Sequence, residues 1–169
     1  MGIPLVDKEA KNQIHEEWRK FSSGEPVNQS VIRPLILDSW LRSRQFRVDP
    51  CSLNIQKVSE KELIETLARH QSLLRIARPV IEDLFSFIQG SRSILILSDE
   101  RGIILNRTGD PEYLANSSNY EPGIEYSERS VGTNGIGTCI SLRAPVQIWG
   151  AEHFAERNHR LCCSAAPIH

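Results

Sequence analysis

Apolar residues in the first half of the chain recur at the three- and four-residue intervals that are typical of amphipathic helices. A first helix is predicted over residues 8–21, and its apolar face consists of Ile14, Trp18 and Phe21. A second helix is predicted over residues 31–46, because Pro34 fits a first helical turn, where its missing N–H costs little. The front of the chain is therefore expected to be helical.

A third helix start is predicted at Ser59, because Glu62 follows three residues later and completes a capping box. The helix that begins there is expected to run to about Ala77. Pro79 either kinks this helix or starts another one, which would end at Gly90.

The apolar positions of this helical pair are spaced for one face: Leu63, Leu67, Leu74, Ile81, Leu84 and Ile88. Packing within the chain is the simpler interpretation of that face. A bundle that joins two copies of the chain is the alternative, although Pro79 interrupts any long heptad pattern.

The pattern changes to strands after this helical region. Residues 94–97 are continuously apolar, which predicts a central strand that is buried on both faces. An acidic turn with a glycine and a second strand over residues 103–109 follow, and this order is typical of a hairpin. Asp110 and Pro111 then provide the cap and first position of a short helix.

The last part of the chain is predicted to alternate helices and strands around one sheet. A helix capped by Thr133 or Asn134 comes first, and residues 144–150 form a strand. Residues 151–162 are predicted as a helix, and residues 163–169 as the start of a further strand. Because that apolar segment has no turn or polar tail after it, the sequence is expected to be a truncated piece.

Charge and composition restrict the possible partners. The 20 basic and 21 acidic side chains leave a net charge of −1, which argues against a dedicated nucleic-acid surface. No apolar run is long enough for a bilayer, and the early charged residues do not fit a signal peptide. The four cysteines lack C-x-x-C spacing, so disulfides are not expected, and a reducing cytoplasmic location fits best.

A basic and aromatic segment lies in the second predicted helix, where Trp40 precedes Arg42, Arg44 and Arg47. The ordinary interpretation is a solvated helix face that Trp40 anchors. The arginines could also pair with acidic residues or contact a partner domain.

The glycine-rich segment 132–138 has the spacing G-x-x-G-x-G, and no Lys-Ser or Lys-Thr follows it. It therefore matches neither nucleotide-binding fingerprint, and a helix cap is the favoured interpretation. No cofactor is predicted.

Four potential metal ligands occur within eleven residues: His153, His159, Cys162 and Cys163. Their spacing lacks the paired pattern of zinc sites, so packing or capping is favoured over metal binding. A catalytic Cys–His pair is a weaker alternative, because no nearby acid is positioned to orient the histidine.

Six segments carry a resemblance to a known family. Three of them are S-E-x-x-x-G-T-N-x-I-G-T (127–138), P-V-x-I-x-G-A-E-H-F (145–154) and C-S-A-A-P-I (163–168). They are preceded by I-x-x-S-W-x-R-S (36–43), A-R-P-V-I-E-D-L (77–84) and the hairpin that ends in T-G-D-P (108–111). Together they resemble the GAF sensor region of sigma-54-dependent transcriptional activators of the acetoin-catabolism regulator type. Regulators of glycerol and dihydroxyacetone metabolism are close relatives.

The resemblance implies an α+β fold in which a GAF/PAS-like antiparallel sheet is flanked by helices. It implies a helical N-terminal segment over residues 1–72 and a GAF-like sensor domain over residues 73–169. That domain is expected to be incomplete, because a GAF domain normally continues after C-S-A-A-P-I with a turn and a long apolar strand.

The same resemblance implies a regulatory module and not an enzyme. Relatives of this type continue with an AAA+ ATPase and a DNA-binding helix-turn-helix domain, so this segment itself is not expected to contact nucleic acid or membrane. A small-molecule effector of the acetoin, diol or hydroxyketone class and a homodimer are expected. Candidate ligand-binding residues follow from motif position: Thr133, Asn134, Ile136, Trp149, His153, Phe154 and Cys163.

Among these candidates, Thr133, Asn134 and His153 would form hydrogen bonds to the effector, and the aromatic and aliphatic residues would supply apolar walls. Two other functions stay open. One is a docking module for a metabolic enzyme subunit, which an exposed apolar patch without an enclosed pocket would favour. The other is a metal or redox sensor that uses the His/Cys cluster.

Overall fold

The computed structural model describes residues 8–52 and 55–168. The helices are α1 (Lys8–Ser23), α2 (Pro34–Gln45), α3 (Glu60–Arg69), α4 (Gln71–Ile88), α5 (Pro111–Ala115), α6 (Glu128–Val131) and α7 (Gly135–Leu142). The strands are β1 (Gln56–Lys57), β2 (Ile94–Ser98), β3 (Ile104–Gly109), β4 (Ile124–Glu125), β5 (Val146–Trp149) and β6 (Cys162–Ala165). Short 3₁₀ turns occur at Ser118–Tyr120, Gly150–Glu152 and Glu156–Asn158.

The strands pair in three antiparallel ladders, β1 with β4, β2 with β3, and β5 with β6. Helices and antiparallel strands in one chain confirm the predicted α+β class. Within the described residues an antiparallel bridge between Ile103 and Glu125 links the β2–β3 and β1–β4 ladders, whereas β5 and β6 pair only with each other, so the single sheet expected from the alternating pattern is not formed. None of the described helices combines the length and apolarity needed to cross a membrane.

The described residues form two units. The first unit joins residues 8–52 with residues 127–168, and the second is Ile55–Tyr126. These units are defined by contacts within the chain. The domain boundary between residues 72 and 73 stays a prediction. The predicted domains also include residues 1–7, 53–54 and 169, which lie outside the described residues.

The core of the first unit is built by α1, α2 and the segment after β5. The predicted apolar face of α1 is confirmed, because Ile14, Trp18 and Phe21 are all buried. The indole N–H of Trp18 donates to the carbonyl oxygen of Phe154 at 2.9 Å. The indole N–H of Trp40 donates to the carbonyl oxygen of Glu152 at 2.8 Å. Two tryptophans thus fasten the N-terminal helices to the C-terminal segment while burying their rings.

The second unit contains the predicted hairpin, in which Ile94 pairs with Gly109. The carboxylate of Asp99 accepts hydrogen bonds from the backbone N–H groups of Arg101 and Ile103 and so shapes the turn. Ser59 caps α3 as predicted, because its hydroxyl accepts from the backbone N–H of Glu62 at 3.2 Å.

The predicted course of the third helix is wrong. The helix ends at Arg69, His70 interrupts it, and α4 begins at Gln71 and continues through Pro79. A proline removes one backbone hydrogen bond, and Pro79 and the residue four positions earlier are both exposed. Water can therefore satisfy the freed carbonyl group, and the helix does not need to end there.

Two further expectations are corrected. Strand β2 is mostly half-buried, and only Leu97 is buried, because β2 pairs with β3 alone among the described strands. Residues 151–162 do not form a helix and instead contain two 3₁₀ turns before β6. Ala151 to Ala155 are buried in an unbroken run, which an amphipathic helix cannot provide because it turns one side to solvent.

Candidate functional site

Most of the predicted ligand-binding residues lie where the start of α7 packs on the β5–β6 hairpin. A Cβ atom added to Gly135 would lie 2.9 Å from the Cβ of Cys163, so the helix start and β6 are in close contact. The backbone N–H of Phe154 donates to the carbonyl oxygen of Thr133 at 3.1 Å. Among the remaining candidates, Ile136 lies on α7 and Trp149 ends β5, and both are half-buried.

Asn134 acts as the N-cap of α7, as predicted. Its Oδ1 accepts from the backbone N–H of Gly137 at 2.9 Å, and its Nδ2 donates to the carbonyl oxygen of Gly132 at 2.8 Å. The buried amide therefore shapes the glycine turn.

The hydroxyl of Thr133 faces α2. It lies 2.6 Å from the Ser39 hydroxyl and 3.4 Å from the Ser43 hydroxyl, and all three side chains are fully buried. Thr133 therefore belongs to a buried hydroxyl cluster that links α2 to the turn before α7.

A carboxylate that the sequence interpretation did not select lies at the centre of this cluster. Glu128 is only 3% exposed, and its oxygens accept hydrogen bonds from Arg42 at 2.6 and 2.8 Å. The hydroxyls of Ser39, Thr138 and Ser141 also donate to it. Burial raises the pKa of Glu128, but the hydrogen bonds from Arg42 and the hydroxyls outweigh this effect and lower the pKa overall.

The signal for this cluster was present in two of the motifs. Ser39, Arg42 and Ser43 are polar residues of the S-W-x-R-S segment, and Glu128 belongs to the S-E segment. The segment was interpreted as a solvated helix face, but the structure buries Ser39 and Ser43, and buried polar side chains need hydrogen-bond partners. The arginine–acid pairing considered for the basic segment is confirmed at Arg42.

A second ion pair holds the start of α2. The Nε and Nη2 atoms of Arg33 donate to the two carboxylate oxygens of Glu152, both at 2.6 Å. Glu152 is almost fully buried and also accepts from the backbone N–H of Trp149 at 3.1 Å. Glu152 of the P-V-x-I-x-G-A-E-H-F motif thus has a structural role, because its ion pair with Arg33 fastens the start of α2 to the C-terminal segment.

His153 and Cys163 are brought together where the start of α7 packs on the β5–β6 hairpin. His153 is 1% exposed, its Nδ1–H donates to the carbonyl oxygen of Gly150 at 3.0 Å, and its Nε2 lies 3.4 Å from the Cys163 sulfur. Burial lowers the pKa of His153 to about 4, and burial raises the pKa of Cys163 to about 11. At neutral pH both side chains are therefore uncharged, and the thiol is not an activated nucleophile.

The remaining members of the His/Cys cluster do not converge with this pair. The Nε2 of His159 donates to the carbonyl oxygen of His153 at 3.2 Å, and Cys162 is exposed. Across the described part of the chain, no group of three or more His, Cys, Asp or Glu side chains is arranged to hold a metal ion. The seven ligand-binding residues stay a prediction.

The surface beside this layer offers an open depression. It is lined by Pro145, Val146, Gln147, Ser164, Ala165 and Ala166. None of the seven predicted residues lines it.

A different kind of candidate site lies on α4. Four large apolar side chains of this helix, which we call the α4 stripe, are between 50% and 79% exposed: Ile76, Val80, Leu84 and Phe87. No residue of α4 is buried, and its other large apolar side chains are half-buried: Leu73, Leu74, Ile81, Phe85 and Ile88. The helix packs against strand β3. The stripe is therefore an exposed apolar surface next to one that already packs within the second unit.

Comparisons with known proteins give a consistent result. The sequence matches the family model described as "MimR, N-terminal domain" over residues 11–169. It is 33% identical over 157 residues to the acetoin dehydrogenase operon transcriptional activator AcoR of Bacillus subtilis (strain 168), which covers 91% of this chain and 26% of that protein. It is 26% identical over 152 residues to the propane 2-monooxygenase operon transcriptional activator MimR of Mycolicibacterium goodii, which covers 88% and 25%. The chain thus spans about a quarter of the length of these relatives.

Among solved structures, the fold is similar to that in the crystal structure of the E. coli DhaR(N)–DhaL complex. The TM-score is 0.76, the identity is 22%, and the match covers 80% of this chain and 47% of that chain. These findings confirm the predicted resemblance to transcriptional regulators of the acetoin type.

Proposed function

The chain belongs to the family of MimR N-terminal domains, and from this membership we propose that it is the sensory domain of an operon transcriptional regulator that relays its signal through protein contacts. The observation that carries the proposal is the α4 stripe, whose four large apolar side chains are at least half exposed. Continuous apolar surface of this kind marks sites of protein interaction.

The energetics favour burial of the stripe against a protein. Each large apolar side chain that is moved fully from water to a packed interface stabilises it by about 1.5–3 kcal/mol. The DhaR N-terminal domain of the similar structure is in a complex with another protein, DhaL. That relative supports a protein-contact mode for a domain of this fold.

The proposed setting is a longer parent protein. We propose that its other parts include an AAA+ ATPase that acts on sigma-54 RNA polymerase and a helix-turn-helix domain that binds DNA. This domain would then be a non-enzymatic regulatory module of the GAF type. Its signal would act by changing the populations of two conformations, and a coupling of about 1–3 kcal/mol is enough for a graded response.

The test replaces the stripe in the full-length parent regulator. Val80→Asp and Phe87→Asp place charges on the stripe, and Arg78→Gln changes an exposed residue on the far side of α4. We expect both aspartate variants to lose regulated transcription of the target operon, measured by transcript sequencing, while circular dichroism shows an unchanged fold. Arg78→Gln should behave like the parent. Unchanged regulation in both folded aspartate variants would refute the proposal.

A second candidate function is binding of a small hydroxyketone or diol. The observation that favours it is His153, a buried neutral imidazole whose Nε2 has only a thiol partner, at 3.4 Å. A hydroxyl group is a stronger donor to that nitrogen than a thiol. Phe154, which follows His153 and is also buried, would supply an apolar wall of the binding site.

Calorimetry with acetoin, 2,3-butanediol and dihydroxyacetone tests this candidate. His153→Gln should abolish any binding, and His15→Gln, at an exposed histidine, should leave it unchanged. Asn134→Ala is a poor probe, because that change also removes the cap of α7. Equal heats for the parent and His153→Gln would contradict the binding site.

A further inference from the structure

We infer that His153 and Cys163 form a binding site for a soft monovalent metal ion of the Cu(I) class, which the imidazole Nε2 and the Cys163 sulfur would hold between them. Binding of this ion is separate from the α4 stripe, so it can be present or absent whatever protein covers the stripe. The ion would occupy the same imidazole nitrogen as a hydroxyketone or diol, and the two kinds of ligand would exclude each other.

The imidazole of His153 is oriented as a metal ligand would be. Its Nδ1–H donates to the carbonyl oxygen of Gly150 at 3.0 Å, which fixes the tautomer and leaves the lone pair on Nε2. Nε2 lies 3.4 Å from the Cys163 sulfur, and the His153 side chain is 1% exposed. Histidines that bind metals almost always donate their other ring N–H to a carbonyl or carboxylate oxygen in this way. The pair therefore presents one nitrogen and one sulfur donor in a fixed arrangement.

The separation of the two donor atoms suits a shared ion. With metal–nitrogen and metal–sulfur bonds of about 2.0 and 2.3 Å, two ligands of one ion lie about 3.5 Å apart at a tetrahedral angle and about 4.3 Å apart in line. The distance between Nε2 and the sulfur therefore needs to increase by at most about 1 Å. Cys163 is half-buried, so an ion can reach the sulfur from solvent.

The number of donors decides between metal ions. Over residues 8–52 and 55–168, no third His, Cys, Asp or Glu side chain stands with this pair to hold a metal. Zn²⁺ takes four protein ligands in structural sites and three in catalytic sites, so two side chains are too few for it. Thiolate sulfur is a soft ligand that selects Cu(I), an ion that two donors can satisfy.

The charge of the site also favours a monovalent ion. Burial lowers the pKa of His153 to about 4 and raises the pKa of Cys163 to about 11, so this position disfavours charge. When the ion binds, the S–H bond of Cys163 breaks, bonds from the metal to the sulfur and to Nε2 form, and the proton leaves to water. One positive charge replaces another and the site stays neutral, whereas a divalent ion would leave an uncompensated buried charge.

The position of the pair connects the ion to α7. A Cβ atom added to Gly135 would lie 2.9 Å from the Cβ of Cys163, so the start of α7 has no free space against this part of β6. Movement of Cys163 away from His153 would therefore displace the turn that Asn134 caps. Occupation of the site is in this way coupled to a neighbouring element of the first unit.

The experiment measures Cu(I) binding to the chain in the absence of air, in competition with the coloured chelator bicinchoninate. Cys51→Ser and Cys162→Ser form the background, because they remove the two exposed thiols. We expect the background to bind one Cu(I) per chain and to release one proton. Cys163→Ser should abolish this binding, and His153→Gln should weaken it by at least about tenfold. His15→Gln, at an exposed histidine, should leave it unchanged.

Cys139→Ser, at the other thiol that remains in the background, should also leave the binding unchanged. Circular dichroism identifies the variants that keep the fold. Binding that survives Cys163→Ser, or equal binding by the background and a folded His153→Gln variant, would overturn the inference.

X-ray absorption at the copper edge tests the ligands without any change at the site. The loaded background should show one nitrogen and one sulfur neighbour. Two sulfur neighbours would mean that copper bridges thiols of two chains, and this result would overturn the site. Calorimetry with Zn²⁺ tests the choice of ion, because binding of Zn²⁺ as tight as that of Cu(I) would contradict a two-ligand monovalent site.

Discussion

At the scale of single residues, the polar side chains of the motifs turn inward to one another. Thr133 contacts the serine hydroxyls of α2, Asn134 caps α7, and Glu128 receives Arg42 and three hydroxyls. A buried carboxylate costs free energy unless it is paired and hydrogen-bonded, and Glu128 has both kinds of partner. The polar residues of the motifs therefore have a structural role, because their hydrogen bonds hold α2, α6 and α7 together.

The ion pair at Glu128 yields a stability prediction. Arg42→Met leaves the buried carboxylate without its cation, so the free energy of unfolding should fall by about 3 kcal/mol. Arg19→Met is the control, because Arg19 forms an exposed pair with Glu16, and it should cost under about 1 kcal/mol. Urea unfolding measures both changes.

A double variant sharpens this prediction. Adding Glu128→Gln to Arg42→Met removes the unpaired buried charge. The losses of unfolding free energy in the two single variants, Arg42→Met and Glu128→Gln, should therefore sum to more than the loss in the double variant. Strict additivity of the two changes would mean that Arg42 and Glu128 act independently, contrary to their hydrogen bonds.

The sequence predicted local roles, such as helix caps, better than contacts between residues that are far apart in the chain. Asn134 was identified as a cap because capping is local, and its partner lies three residues away. The pairing of Arg42 with Glu128 joins residues far apart in the chain, and spacing alone carries no information about such contacts. The neutral state of His153 likewise depends on burial by the whole first unit, which a single-sequence pattern does not reveal.

At the scale of elements, local signals placed most of the helices and the hairpin. Pro34, Ser59 and Asn134 stand at helix starts as predicted, because caps and first turns depend on neighbouring residues. The segment 151–162 was misjudged because its buried residues are held by long-range contacts of Trp18 and Trp40 to its carbonyl groups. Those contacts override the helical propensity of the segment.

The turn between α6 and α7 gives an element-scale prediction. Gly132 has φ of 75° and ψ of −161°, a conformation open almost only to glycine, and an added Cβ would lie 2.6 Å from the Cβ of Phe154. Gly132→Ala should therefore lower the free energy of unfolding by about 3 kcal/mol, through backbone strain and overpacking together.

Gly24 provides the matched control. Its φ is 81°, and an added Cβ would meet no atom within 4 Å. Gly24→Ala should then cost only about 1 kcal/mol, from the left-handed conformation alone. Equal losses in thermal or urea unfolding of the two variants would show that the contact with Phe154 is not tight.

At the scale of the whole molecule, the near-neutral charge conceals an uneven distribution of buried groups. The net charge of −1 sums all charged side chains and does not show which of them are buried. The first unit buries Glu128, Glu152 and His153, and each of them has a preferred protonation state or cation partner. Stability as a function of pH therefore reports on the integrity of that unit.

Stability should decrease as the pH falls below neutrality, and His153 supplies much of the change. Its folded pKa of about 4 lies below its unfolded value of about 6.5, so the unfolded chain binds more protons between these values. The stabilisation is fully present above the unfolded pKa and is lost as the pH falls through this window, by about 3 kcal/mol in total. The lowered pKa values of His159 and Glu128 act in the same direction.

Urea unfolding at pH 7.5, 6.5 and 5.5 measures this slope. His153→Gln removes the titrating group, so its stability should decline less between pH 6.5 and 5.5 than that of the parent chain. If His153→Gln declined as steeply as the parent, the imidazole would not be buried and neutral in solution. The contact between α7 and β6 would then admit water, and the buried neutral imidazole that favours a small-molecule site beside Cys163 would no longer support that site.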